Sequence, residues 1–341
     1  MQQDQDPSLT DWRGDALALE QEIKKAVIGQ DKAIRLLLIT LFARGHALLE
    51  GDVGVGKTTL LKALAQVLGG QYERIEGTVD LMPNDLVYHT YINEEGRPAI
   101  DPGPLLKHEE NLATFFFNEV NRARPQVHSL LLRVMAERSV SAFNRDYHFP
   151  HLQVFADRNR VEKEETFELP AAARDRFLME INVALPTDQS IQRDLMFDSR
   201  FYDVDALIKN LSSAMVPFDQ LNGVAAKVQQ AVKTSETIEN YALDLCAATR
   251  RPSDYGIQLD DIDMLRFVLS GVSPRGMGML IRASKVVAWL NGRDALIPED
   301  IHEVLNETIA HRVFFEPVYE LQRHEIVDQF MQAIVAQVAA P

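Results

Sequence analysis

The sequence predicts an α/β fold, a parallel sheet covered by helices on both faces, followed by an all-helical domain. Three observations lead there. Residues 46–59 read HALLEGDVGVGKTT, an apolar strand running directly into G-x-x-x-x-G-K-T and then into the amphipathic LLKALAQVL. From that point to about residue 190, strand-like runs alternate with helical ones. Beyond about residue 200, apolar residues recur only with helical period.

Taken in order, Trp12, Ala16, Leu19 and Ile23 fall at helical spacing, a helix expected to cover part of the first domain. Ile28-Gly29-Gln30 then breaks between two helices. It is either an ordinary helix–helix turn or an apolar hinge of the kind that packs on adenine upstream of a phosphate cradle. The cradle itself follows. Gly51, Gly54 and Gly56 permit a turn tight enough for successive N–H groups to point at a β-phosphate, and the helix from Thr58 adds its positive end. Lys57 would reach the β- and γ-phosphates, and the Thr58 hydroxyl would ligate Mg²⁺. Residues 113–117 form a buried apolar strand ending in Asn118 and Glu119. Glu119 can polarise an attacking water there. Asn118, where an acid is usual, can accept one hydrogen bond from a metal-bound water but brings no charge, so Mg²⁺ is expected to be held less tightly.

A third apolar strand, residues 151–159, ends in Asp157, Arg158 and Asn159, and the Asn159 amide can orient the nucleophilic water. In LPAAARDRFLMEINV, Arg176 follows a short helix and precedes another strand, where it can face a neighbouring subunit's phosphates. In the helical part, Phe218, Leu221, Val224, Val228 and Val232 share a face, as do Met277, Leu280, Ile281, Ser284 and Ala288, and then Ile301, Val304 and Leu305 after IPED. GVSPRGMGMLIRASK opens with Ser273 as N-cap and Pro274 at the first helical position, leaving Arg275 in the first turn. A cation there opposes the helix dipole, so an anionic partner is expected. The polar run TRRPSDYGIQLDDID reads as a long surface loop.

Composition narrows the function. With 341 residues, 46% hydrophobic and 25% charged, the chain is an ordinary soluble one with room for two cores. It has no apolar run of ~18 residues, and its N-terminus, MQQDQDPSLTDW, lacks signal-peptide features, so a cytoplasmic protein without direct membrane insertion is expected. The single cysteine, Cys246, excludes an intramolecular disulfide and reads as a buried small residue in YALDLCAA. A net charge of −15 argues against nucleic acid as a partner, and so against a helicase or clamp loader; partners are expected to be proteins. A kinase would leave the helical lid and a trans-acting Arg176 without a role.

Cradle, Glu119, Asn159, Arg176 and Arg275 occur in the order found in AAA+ ATPases. Within that class the chain resembles the MoxR family over nearly its whole length, through RGHALLEGDVGVGKT, EGTVDLMPNDL, NEVNRARPQVHSLLLRVMAERSV, LPAAARDRFLM, GVSPRG and NGRDALIPEDI. The resemblance implies an ATP site at Gly51 to Thr59 that includes Val55, with Ile28 and Gly29 at the base. It implies Mg²⁺ at Thr58 and Asn118, Walker B at Asn118-Glu119, sensor 1 at Asn159, the arginine finger at Arg176 and sensor 2 at Arg275. It further implies strand order 5-1-4-3-2, an insert near residues 78–105, a hairpin near 139–150 and a homo-oligomeric, usually hexameric ring. The expected divisions are an N-terminal helical extension (1–26), the nucleotide domain (27–195) and the lid (196–341).

Two departures fall on the hydrolytic side. NEVNRA stands where the family has Asp-Glu-Ile-Asn-Arg-Ala, and Ala156-Asp157-Arg158-Asn159-Arg160 where it has Ala-Thr-Gln-Asn-Pro. FFFNEVNRARPQ with FADRNRVEKEETFELPAAARDRF is most similar to the methanol-dehydrogenase-associated branch. Family members act as chaperone-like ATPases in maturation of metal- or cofactor-containing enzymes, with a partner carrying a von Willebrand factor A domain. A periplasmic client would then be reached through membrane-bound maturation factors.

Overall fold

A computed structural model describes residues 8–159 and 166–341. MQQDQDP and the stretch from Arg160 to Glu165 lie outside the described residues. The chain opens with α1 (Leu9–Lys24), started by a capping box in which Ser8 and Asp11 satisfy each other's backbone N–H groups. Trp12, Ala16, Leu19 and Ile23 are all buried. After α2 (Asp31–Phe42) come β1 (Ala47–Gly51), α3 (Lys57–Leu68) and β2 (Gln71–Glu76). Then follow β3 (Leu112–Asn118), α4 (Pro125–Glu137), β4 (Gln153–Asn159) and β5 (Met179–Asn182). These five strands form one sheet in the order β2-β3-β4-β1-β5, every neighbouring pair parallel. The order is the one the resemblance implied.

LATFFFN is buried at every position because β3 is an inner strand covered on both faces, whereas β2, at the edge, has no fully buried residue. One apolar core joins α1, α2 and α3 to the C-terminal helices, and a second lies under α4 on the opposite face of the sheet. Between β2 and β3 the insert is a one-turn helix (Pro83–Val87) and an antiparallel hairpin, Tyr88–Ile92 with Pro98–Pro102. A second hairpin, Ser139–Ala142 with Arg145–His148, precedes β4, its turn made by Phe143 and Asn144, both at positive φ.

The C-terminal region contains helices Leu221–Ala231, Glu236–Ala248, Pro274–Leu290, Pro298–Ile309 and Arg323–Gln337. It also carries one short antiparallel ladder, Val268–Ser270 with Phe314–Phe315, in which Phe267 stacks on Phe315 at 4.3 Å. Residues 249–263 are mostly irregular, as expected, although Pro252 and Ile257 anchor them in the interior. Cys246 is buried. Arg312 locks this region to the nucleotide-side fold: its guanidinium is buried and donates to the carbonyls of Asp175, Phe177, Leu178 and Thr308 and to the Asp175 carboxylate at 3.2 Å.

Candidate nucleotide site

Parallel strands leave all their C-terminal ends on one side, and there the sequence-predicted residues other than Arg176 and Arg275 converge. The loop after β1 holds Gly54 at φ 82° and Gly56 at φ 96°, backbone that glycine adopts without penalty. Gly51 serves a different need. Its φ is ordinary, but a Cβ would lie 2.2 Å from the Val183 carbonyl oxygen at the end of β5. A loop that needs glycine for positive φ at two positions and for close approach at a third, leading into a helix N-terminus, fits a polyphosphate.

Lys57 begins α3 and is buried; its ammonium donates to the carbonyls of Gly51 and Asp52 and to the Asn159 Oδ1, each at 2.9 Å. Asn159 in turn donates through Nδ2 to Glu119 Oε1 at 3.1 Å, and Arg122 donates to Glu119 Oε2 at 3.0 Å. A continuous hydrogen-bonded chain therefore links the loop cation to the strand-end carboxylate. Thr58 Oγ1 donates to Asn118 Oδ1 at 3.5 Å, the two groups expected at the metal. Val55 packs beside Gly51, and Thr59 is half-buried in the first turn of α3. Ile28 and Gly29 approach the same end. A Cβ on Gly29 (φ 73°) would meet Pro186 and Ile191, and Gln30 donates to the Ala184 carbonyl just past β5.

Sequence reasoning missed how Glu119 is held. Its φ of 51° is left-handed, uncommon for a residue with a side chain, and its N–H donates to Asp157 Oδ1 at 2.5 Å. Asp157 lies on β4 beside Asn118 and is buried. Burial pushes its carboxyl up to about 6, against the opposing pull of the Glu119 N–H and Lys57. The signal available in the sequence was the acid at position 157 where the resembling family has threonine.

Arg176 and Arg275 lie elsewhere, at the end of the sheet where the strands begin. Arg176 sits between the helix Ala171–Arg174 and β5. Ser273 caps its helix by accepting from the Gly276 N–H, as predicted, and Arg275 finds its anion in Asp175 at 2.9 Å. Asp175 also accepts from Ser273 Oγ at 2.7 Å. Both arginines line a cavity of about 860 Å³ together with Arg44, Arg138 and Arg282. β1 alone, five residues long, separates this end from Gly51 by about 13–16 Å.

Residues 46–179 match the family described as ATPase family associated with various cellular activities (AAA), and residues 267–333 match the AAA lid domain. The chain is 60% identical over 336 residues to "Protein MoxR" of Methylorubrum extorquens, covering 98% of each. It is 52% identical to "Protein MoxR" of Paracoccus denitrificans, covering 98% of this chain and 99% of that one. To "Chaperone MoxR1" of Mycobacterium tuberculosis it is 33% identical, over 94% of this chain and 80% of that one. A crystal structure from Cytophaga hutchinsonii superposes with a TM-score of 0.81 at 29% identity, covering 98% of this chain and 97% of that one. With a parallel nucleotide domain, an AAA lid and relatives of this closeness over the full length, the chain belongs to the MoxR family of AAA+ ATPases.

Proposed function

We propose that the protein binds and hydrolyses ATP at subunit interfaces of a homo-oligomeric ring, and uses the cycle for chaperone-like maturation, by metal or cofactor insertion, of a client enzyme. The observation that carries this reading is the chain from Lys57 through Asn159 to Glu119. The loop N–H groups from Gly51 to Thr58 and the Lys57 ammonium would hold the phosphates, and the Thr58 hydroxyl with the Asn118 amide oxygen would hold Mg²⁺. ATP with its metal supplies the anhydride that is cleaved and the divalent charge that balances it. Glu119, oriented by Asn159 and Arg122, positions the attacking water and takes its proton. The placement of Arg176 and Arg275 at the far end of the sheet from the cradle supports a role toward a neighbouring subunit's nucleotide. They complete the neighbour's site in trans.

The 60% and 52% identity to proteins named MoxR supports the family part of this reading; methanol dehydrogenase as client, a von Willebrand factor A domain protein as partner and a hexamer as the ring are what the resemblance to that family implies. On this reading the protein acts in the cytoplasm and reaches its client through membrane-bound factors. Among the described residues no helix is long and apolar enough to cross a membrane. A second reading, a nucleotide-switched scaffold with little turnover, is favoured by one observation: the group 3.5 Å from Thr58 Oγ1 is the neutral amide of Asn118. Fluorescent-nucleotide titration and steady-state phosphate release with Mg²⁺ test both. Lys57→Ala is expected to lose ATP binding; unchanged affinity overturns the site, and tight ATP binding without turnover in the wild type favours the scaffold. A Glu119→Gln ring, stalled with ATP, is expected to retain methanol dehydrogenase subunits.

A further inference from the structure

The cavity between the sheet's starting end and the lid gathers five arginines in a protein of net charge −15. Among the described residues, only Arg275 of the five has a carboxylate partner, Asp175. Among those residues the other four have none within ion-pair distance. Arg44 is spent on structure. It donates to Asn222 at 2.7 Å, to Gln153 at 2.6 Å and to the His151 carbonyl at 2.6 Å, stitching the lid to β4. Arg138 and Arg282 are different. Arg138 makes two long contacts, to the carbonyls of Pro150 and Arg44, each at 3.3 Å, and Arg282 one, to the carbonyl of Ala43. A guanidinium carries five N–H donors, so both retain donors for the cavity they line. Arg176 Nε is buried without a partner. Burial and mutual repulsion hold Arg44 and Arg282 below the usual arginine range, and burial alone does so for Arg138. Five planar cations, partly desolvated, outnumber the acids around them, Asp175 on Arg275 and Glu137 in the cavity wall, and this excess is complementary to a polyanion, whose phosphate geometry suits the guanidinium fork. Ring contacts are heterologous, so a protomer's nucleotide face meets the opposite face of the next.

We propose that Arg138 and Arg282 are phosphate ligands acting in trans, forming with Arg176 and Arg275 the cavity that receives the triphosphate bound at Lys57 of the adjacent subunit. The proposal rests on the interface reading above and adds two residues to which the family resemblance gave no role.

The test is complementation between full-length chains. Lys57→Ala has an intact cavity and a dead cradle; the Arg138→Gln/Arg282→Gln double variant has an intact cradle and a dead cavity. Each alone is expected to lose phosphate release by about a hundredfold or more. An equal mixture recovers roughly a quarter of the wild-type rate, the share of random interfaces that pair an intact cradle with an intact cavity. Fluorescent ATP is expected to bind the double variant, as a dilute protomer, within about threefold of wild type, while sedimentation velocity shows its ATP-dependent assembly weakened. Arg176→Ala mixed with Glu119→Gln is the control for the interface itself. If that control recovers and the Arg138/Arg282 mixture does not, the two arginines act only within their own chain and the proposal is wrong. If neither mixture recovers although mixed rings form, the interface reading falls and takes the proposal with it. Should the double variant melt well below wild type, Arg138→Gln and Arg282→Gln singly carry the same mixing test.

Discussion

Replacing Gly51 by alanine separates steric from torsional reasons for glycine in the cradle. The added Cβ would lie 2.2 Å from the Val183 carbonyl oxygen and 3.1 Å from Val55 Cγ2. Relief requires about 1 Å of movement, since carbon and oxygen rarely approach closer than about 3.2 Å. Neither side yields freely: the Val183 N–H donates to the Glu50 carbonyl at 2.7 Å, and β1 pairs with β5 through Glu50 and Asn182. Overpacking of this kind costs about 1–3 kcal/mol. Stretching the ladder bond adds about 1 kcal/mol. A total of about 2–4 kcal/mol corresponds to a melting temperature lower by about 4 °C or more. The loop is displaced with it, and a shift of about 1 Å at a reacting group is worth about a hundredfold in rate. Gly54→Ala is the comparison, for its φ of 82° imposes strain while nothing lies within 4 Å of the new Cβ. It is expected to cost about 1–2 kcal/mol in stability with the loop left in place. Thermal melts and fluorescent-ATP titration measure both. Gly51→Ala binding ATP within about threefold of wild type, or Gly54→Ala binding more weakly than Gly51→Ala, would refute the assignment of Gly51 to close approach.

Other perturbations address the chemistry. Asn118→Asp adds a carboxylate beside Thr58, and is expected to lower the Mg²⁺ concentration for half-maximal phosphate release by about tenfold, equivalent to about 1.4 kcal/mol. An unchanged Mg²⁺ titration contradicts this. Asp157→Ala removes the acceptor that holds the Glu119 N–H, leaving a buried donor unpaired at a cost of about 1–3 kcal/mol; phosphate release is expected to fall more than ATP affinity, and equal losses in both would argue against a positioning role. Asp157→Asn keeps an acceptor oxygen and is expected to retain more turnover than the alanine, which the same assay decides. Arg176→Ala and Glu119→Gln, each inactive, are expected to recover activity when mixed, since some interfaces then carry both groups; no recovery in demonstrably mixed rings contradicts a trans Arg176.

What could be read from the sequence was what is local in it. Gly51 to Thr59 is one uninterrupted run, so its chemistry did not depend on knowing the fold. The helix start at Ser273 depends on three consecutive residues, and the need for an anion near Arg275 followed from the dipole alone. The anion's identity did not, because Asp175 lies 100 residues away. Gly51 was assigned to turning when its reason is the Val183 carbonyl, a contact made only once β5 is laid against β1. The arginine cavity was invisible for the same reason. Arg138 reaches the Arg44 carbonyl across 94 residues, and Arg282 reaches that of Ala43 across 239. A net charge of −15 is a sum, silent on where the cations gather.

The acid missing from position 118 illustrates how a substitution can redistribute a role rather than delete it. β3 and β4 are in register at Phe117 and Ala156, so Asn118, the last residue of β3, has Asp157 beside it on β4. An aspartate at the first position would lie on the metal side, facing Thr58. At the second position the carboxylate is buried and faces the backbone of Glu119, where it accepts an N–H at 2.5 Å. That bond opposes the tendency of a left-handed residue to relax, since such backbone costs about 1–3 kcal/mol unless its surroundings hold it. The negative charge thus remains at the same end of the sheet but acts on the water-positioning residue instead of the metal. Tighter control of Glu119 and looser hold on Mg²⁺ are opposite demands on turnover. Their balance is what the paired Asn118 and Asp157 variants measure.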